Sequence, residues 1–242
     1  MRSSAEPRQT EGLPPALAEK WESLLSSLRS LGSALVAFSG GVDSTFLLHA
    51  ALRALGERTL AVTATSPTYP KSERDEAERI ARDWKAPHRF VESNELAIPG
   101  FSENPPDRCY HCKKELFGIL SEMARAEGYA AVCDGTNSDD TSDFRPGRRA
   151  ARELGVRSPL LENGISKEDI RALSRHFRLP TAEKGAFACL SSRFPYGASI
   201  DAENARRSSG GSASGSSGFA STTGSRASRS GGRRSRGCSN PR

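Results

Sequence analysis

Six residues between an apolar run and an amphipathic one, Ser39-Gly-Gly-Val-Asp-Ser44, have the types and spacing to hold an anion. The adjacent glycines remove Cβ atoms where the backbone must turn, so successive N–H groups can approach an oxyanion, and Ser39 and Ser44 add hydroxyl donors. Ala34–Phe38 before the turn and Thr45–Leu55 after it read as strand and helix, which brings a helix N-terminus with its free N–H groups to the same place. Phosphate suits such a turn. A second group is sulfur. In Cys109-Tyr-His-Cys112 two thiols stand three apart at the start of a helical run, where the helix dipole lowers thiol pKa and metal or redox chemistry is favoured. Cys189 lies in Ala186-Phe-Ala-Cys-Leu-Ser-Ser-Arg-Phe-Pro-Tyr-Gly197, with Lys184 and Arg193 near enough in sequence to stabilise a thiolate. Cys133, in an apolar strand, reads as a small buried hydrophobe.

The elements that must position these groups alternate along the chain. Leu17, Trp21, Leu24, Leu25, Leu28 and Leu31 recur at helical spacing before Gly32. Thr59–Thr65 and His88–Val91 read as strands around a helix from Lys71 to Trp84. Cys112, Leu116, Leu120 and Met123 share one helical face, Tyr129–Cys133 is a fourth strand, and Asp134–Asp140 is loop chemistry at its carboxyl end. Pro146–Leu154 reads as a short helix and Val156–Leu161 as a fifth strand, while Ser166 with Asp169 forms a capping box for a helix over Lys167–Phe177. This alternation predicts a doubly wound α/β fold with a parallel sheet of about five strands and a ligand site across the strand tips.

Composition splits the chain. Residues 207–242 hold twelve Ser, eight Gly and seven Arg with no acidic residue, too polar to bury a core, so a disordered C-terminal tail is expected. The whole chain has 35 basic and 29 acidic residues; without the tail the balance is 28 against 29, a net charge of −1. The folded body therefore lacks the basic surplus a nucleic-acid partner demands. Five cysteines, an odd number, and no apolar signal or membrane-length run lead to the expectation of a cytoplasmic protein with reduced thiols and no membrane partner.

Neither G-x-x-x-x-G-K-[ST] nor G-x-G-x-x-G occurs. The S-G-G-x-D-S signature instead resembles the PP-loop ATPases, which cleave ATP between the α- and β-phosphates and adenylylate a substrate. A capped glycine turn is the plainer alternative. Over Leu35 to about Gly197, the stretches Ala-Phe-Ser-Gly-Gly-Val-Asp-Ser, Arg-Cys-Tyr-His-Cys-Lys, Asp-Gly-Thr-Asn-Ser-Asp-Asp, Arg-Pro-Gly and Ala-Cys-Leu-Ser-Ser-Arg resemble, in that order, the LarE family. These ATP-dependent sulfur transferases convert a pyridinium biscarboxylic acid mononucleotide to its thiocarboxylate for the nickel-pincer cofactor.

The resemblance implies ATP and Mg²⁺, a small-molecule nucleotide as the partner, and homo-oligomeric assembly. It implies that Ser39, Gly40, Gly41, Asp43 and Ser44 hold pyrophosphate and that the Thr63–Ser66 strand end lies on the adenine side. Asp139 and Asp140 would support Mg²⁺, a solvated turn being the alternative, and Arg145 and Arg193 would clamp carboxylate or phosphate. Cys189 is the expected nucleophile, either giving up its own sulfur or joining Cys109 and Cys112 as the three ligands of a [4Fe–4S] cluster. Competing readings are a PP-loop tRNA thiolase and a nucleotide-binding protein without turnover. The expected organisation is a loose terminus over 1–14, a PP-loop ATPase domain over 15–180, the start of a sulfur-transfer segment over 181–206, and the tail over 207–242. In the tail the chain departs from the family, which continues into a folded segment. A shifted reading frame near residue 207 is expected, with a genuine flexible tail as the alternative; ATP binding should persist, while sulfur transfer and assembly should suffer.

Overall fold

Burial along β1 (Ala34–Ala37) explains the layering of the molecule: Ala34 and Val36 face one hydrophobic cluster and Leu35 faces another, as the two-residue period of a strand requires. A strand buried on both faces must lie at the centre of a sheet covered by helices. The protein, seen here as a computed structural model, is described over residues 10–66, 69–141, 146–185 and 197–199. Expectations that rest on Arg145, Cys189, Arg193 or the 207–242 tail fall outside those residues.

The sheet is parallel, in the order β3 (His88–Glu92), β2 (Thr59–Thr65), β1, β4 (Ala131–Cys133). Ala34 pairs with both Thr59 and Ala131, so the strands on either side start level with β1. On one face α1 (Pro15–Leu31), α2 (Val42–Leu55), α3 (Lys71–Asp83) and α7 (Lys167–His176) cover Ala34, Val36 and Ala61; on the other, α4 (Arg108–Glu127) and α5 (Pro146–Glu153) cover Leu35, Leu60, Val62 and Val132. The chain steps from β1 through β2 to the edge at β3 and then returns to place β4 on the other side of β1. That reversal opens a crevice between the loops after β1 and β4, where ligands of such sheets bind.

The α/β class and alternation hold, but the fifth strand does not form. Arg157 makes one bridge to Cys133, its N–H donating to the Val132 carbonyl and its carbonyl accepting from Asp134 N–H, and the ladder stops there. Pro159 has no N–H to continue it and instead opens the short helix α6 (Pro159–Glu162). Glu162 closes the turn by accepting from the Ser158 N–H at 3.0 Å and pairing with the Arg157 guanidinium. No helix among the described residues is long and apolar enough to cross a membrane.

Candidate functional site

β1 delivers the chain into the crevice, and α2 takes it away after four residues. Gly40 has φ +69°, a conformation that side chains disfavour, and Gly41 caps α2 in extended backbone. The two serine hydroxyls converge, with Oγ atoms 3.1 Å apart. Ser44 Oγ also accepts from the Ser39 N–H at 3.2 Å, and the Gly41 N–H points toward Ser39 Oγ at 3.4 Å. Two hydroxyls, a loop amide and the helix N-terminus thus crowd a single concave turn, the arrangement that accepts an anion.

Other elements hold this turn. Thr63, buried on β2, donates its single hydroxyl proton to the Phe38 carbonyl at 2.7 Å. Its oxygen then accepts from His88 Nε2, 2.8 Å away, which fixes that nitrogen as the protonated one. Burial holds the His88 pKa below its ordinary value, consistent with a neutral ring. Through its bond to the Phe38 carbonyl, the Thr63 side chain braces the loop at Phe38. Ser66 donates to Glu95 Oε1 at 2.6 Å and lines a cavity of about 520 Å³ at the carboxyl ends of β2 and β3, with Thr65, Arg74, Ser93, Asn94 and Glu115.

From the other side of the crevice comes the loop after β4. Asp134, buried, accepts from Thr136 N–H and from the hydroxyls of Thr136 and Ser158, which stiffens the turn. Gly135 backs against α2 so closely that a Cβ there would sit 3.0 Å from Ser44 N and 3.2 Å from the Asp43 carbonyl carbon. Asp139 Oδ2 accepts from the Lys167 N–H at 3.0 Å and Asp140 Oδ2 from the Asn137 N–H at 3.1 Å. Both carboxylates thus serve the turn and the start of α7. Among the described residues no group of three His, Cys, Asp or Glu is arranged to hold a metal ion.

Asp43 is the acidic member of the loop. Burial pushes its carboxyl above the ordinary carboxylate range; Lys167 opposes this by donating from Nζ to both oxygens, at 2.6 and 2.7 Å, and the Asp140 charge pushes it up again. Lys167 went unread in the sequence, although its position held a signal. It is the first residue of α7, where the helix dipole disfavours a cation, so a counterion from elsewhere in the fold was to be expected. Lys184 likewise lies at the loop, its Nζ donating to the Gly40 carbonyl at 3.1 Å and to Glu76 Oε2 at 2.5 Å.

Cys109 and Cys112, three apart near the start of α4, are both half-buried. The α4–α5 packing beside them is tight, since a Cβ on Gly147 would meet the Cys109 carbonyl at 3.3 Å. Cys133 is fully buried in β4 and its thiol is pushed up to about 12 by burial, so it is inert. Cys189 lies outside the described residues, but both flanks of its segment are placed. Lys184 reaches Gly40, and the Gly197 N–H donates to the Asn104 carbonyl at 3.1 Å, five residues before Cys109.

No family model matches the chain. It is 45% identical over 191 residues, 79% of this chain and 71% of the other, to an uncharacterised protein of Synechocystis sp.. It is 38% identical over 189 residues, 78% of this chain and 68% of the other, to the pyridinium-3,5-bisthiocarboxylic acid mononucleotide synthase of Lactiplantibacillus plantarum. Among solved structures it is similar to an NMN synthetase from Francisella tularensis, with TM-score 0.56 and 15% identity over 70% of this chain and 75% of that one. It is also similar to an NH3-dependent NAD synthetase from Campylobacter jejuni, with TM-score 0.53 and 15% identity over 73% and 80%. At that identity the structural likeness speaks for the fold.

Proposed function

The chain belongs to the pyridinium-3,5-bisthiocarboxylic acid mononucleotide synthase family, the LarE family, and from that premise we propose that it is an ATP-dependent sulfur transferase. It adenylylates a carboxylate of a pyridinium biscarboxylic acid mononucleotide and converts it to a thiocarboxylate for nickel-pincer cofactor synthesis. The observation that carries this reading is the turn at Ser39–Ser44, where two hydroxyls 3.1 Å apart, the Gly41 N–H and the α2 N-terminus face one space. Pyrophosphate fits there as a leaving group.

In the first step a carboxylate oxygen attacks the α-phosphorus of ATP. The bond to the bridging oxygen breaks, and pyrophosphate departs into the turn. The cavity beside Ser66 supports seating the adenosine half at the ends of β2 and β3. A carboxylate is a poor electrophile until its oxygen can leave as AMP. The Cys189 thiolate then attacks the acyl carbon and AMP leaves with the electron pair. Loss of the Cα proton and cleavage of the Cβ–S bond release thiocarboxylate and leave dehydroalanine, with no oxidant or reductant required. Support for Cys189 lies in its flanks, which contact the Gly40 and Asn104 carbonyls on either side.

The same three thiols suit a second sulfur source. A [4Fe–4S] cluster would be held by Cys109, Cys112 and Cys189 and would supply sulfide in place of the Cys189 sulfur. Mg²⁺ would neutralise phosphate charge, with Asp139 and Asp140 as its proposed holders; Arg145 and Arg193 remain the proposed substrate clamps. The test is ATP–pyrophosphate exchange with the pyridinium dicarboxylate nucleotide. Exchange should depend on that acid and survive Cys189→Ala, while thiocarboxylate formation is lost. Exchange without the acid, or product from Cys189→Ala, would sink the assignment. Mass loss of the elements of hydrogen sulfide at Cys189 selects the sacrificial route; iron and sulfide in anaerobically purified protein select the cluster.

A further inference from the structure

Residues from α3 and from the chain after α7 close on a single peptide group, the one joining Gly40 to Gly41. From α3, Ala77 lies within van der Waals reach, so that a Cβ on Gly40 would be 3.4 Å from its own Cβ. Glu76, the residue before it, binds Lys184 Nζ at 2.5 Å, and the same ammonium donates to the Gly40 carbonyl at 3.1 Å. Lys184 is itself held in place. From α7, Arg171 donates to the Ala182 carbonyl at 2.9 Å and to the Lys184 carbonyl at 3.1 Å, a two-pronged grip that only a guanidinium makes. The Lys184 side chain is only 15% exposed, so the contact is largely shielded from water.

A trans peptide is planar, and its C=O and N–H point in opposite directions. Gly40, at φ +69°, has no Cβ to restrict rotation of the plane that follows it. Whatever captures the Gly40 carbonyl therefore decides where the Gly41 N–H aims. With the carbonyl on Lys184, the Gly41 N–H points toward Ser39 Oγ at 3.4 Å.

We propose that Lys184, seated by Arg171 and charge-balanced by Glu76, is a positioning residue that locks the Gly40–Gly41 peptide plane and so presents the Gly41 N–H to the leaving pyrophosphate. The inference rests on the function proposed above and goes beyond it, because it gives Lys184 a part in adenylylation that is separate from any thiolate at Cys189.

The experiment is a titration of full-length protein with inorganic pyrophosphate, followed at the Gly41 amide in a proton–nitrogen correlation spectrum, together with ATP–pyrophosphate exchange. In wild type the Gly41 amide should shift downfield. Lys184→Met keeps the stem and removes the donor; it should abolish that shift and raise the KM for ATP about tenfold, the value of one hydrogen bond to a charged group. Lys184→Arg, which can still donate, should restore both. Arg171→Gln gives a second route if the Met variant does not fold, and should weaken the shift in the same direction. A Gly41 shift equal in wild type and Lys184→Met overturns the lock alone. Pyrophosphate that leaves every amide of the wild-type loop unmoved overturns the proposed function, and the lock with it.

Discussion

Lys167 and Gly135 show how much of the site depends on residues with no chemistry of their own to advertise. Lys167 holds down a carboxyl that burial and the Asp140 charge both push up. Its removal should therefore raise the pKa of Asp43 further. Lys167→Met is expected to move the acidic limb of the exchange pH profile to higher pH; a profile that does not move would show that the Asp43 charge is not needed. Gly135 is constrained by space, since its φ is ordinary while a methyl group there meets the backbone of Asp43 and Ser44 at 3.0–3.2 Å. Those neighbours cannot rotate away. Gly135→Ala should push the first turn of α2 out of place, costing about 1–3 kcal/mol in denaturant unfolding and weakening ATP affinity; an unchanged midpoint and affinity would refute the close approach.

At the scale of the element, α7 decides the site's geometry from outside it. Its start is fixed by a full capping box: Ser166 Oγ accepts from the Asp169 N–H at 3.1 Å, and Asp169 Oδ2 accepts from the Ser166 N–H at 2.9 Å. Lys20 of α1 reaches the same carboxylate at 2.5 Å. Lys167 and Arg171, four apart, then leave one helical face, the first toward Asp43 and the second toward the chain that carries Lys184. Ser166→Ala should cost about 1 kcal/mol of stability and, by fraying the turn that carries Lys167, also weaken ATP binding. Calorimetry and nucleotide titration on the same variant test both; lost stability with unchanged affinity would show that α7 is scaffold only. β3 and β2 play a quieter part, because His88 and Thr63 hold the Phe38 carbonyl at the mouth of the turn.

For the whole molecule, the helix layer over α2 meets around a histidine that the chemistry does not use. His49 packs against Trp21, Trp84 and Phe177, with ring centroids 5.1–6.0 Å apart, and burial, aided by the Arg53 charge, lowers its pKa to about 4. The folded value lies below the unfolded 6.5, so between pH 6.5 and 4 the unfolded chain binds a proton that the fold excludes. Stability is thus unaffected by this group above pH 6.5 and is lost as pH falls toward 4, on the order of 3 kcal/mol in all. His49→Leu should flatten the acid side of the stability curve; an unchanged slope would place the loss elsewhere. Much of this architecture is legible in local order. The alternation of periods near 3.6 and 2, the stop at Gly32 and the box at Ser166 are short-range features, and each formed where read. The motif Ser39–Ser44 was legible for the same reason, being a contiguous turn between a strand and a helix. The fifth strand misled because Val156–Leu161 is apolar enough for a strand, while Pro159 and the Arg157–Glu162 pair turn it into helix after one bridge. Only the tertiary structure could pair Lys167 with Asp43 across 124 positions, set Lys184 on the Gly40 carbonyl 144 positions away, or turn Thr63 inward to the loop. Sequence periodicity fixes which face of an element is apolar. The distances between polar groups on different elements depend on how helices pack over a twisted sheet, and that packing has no local signature.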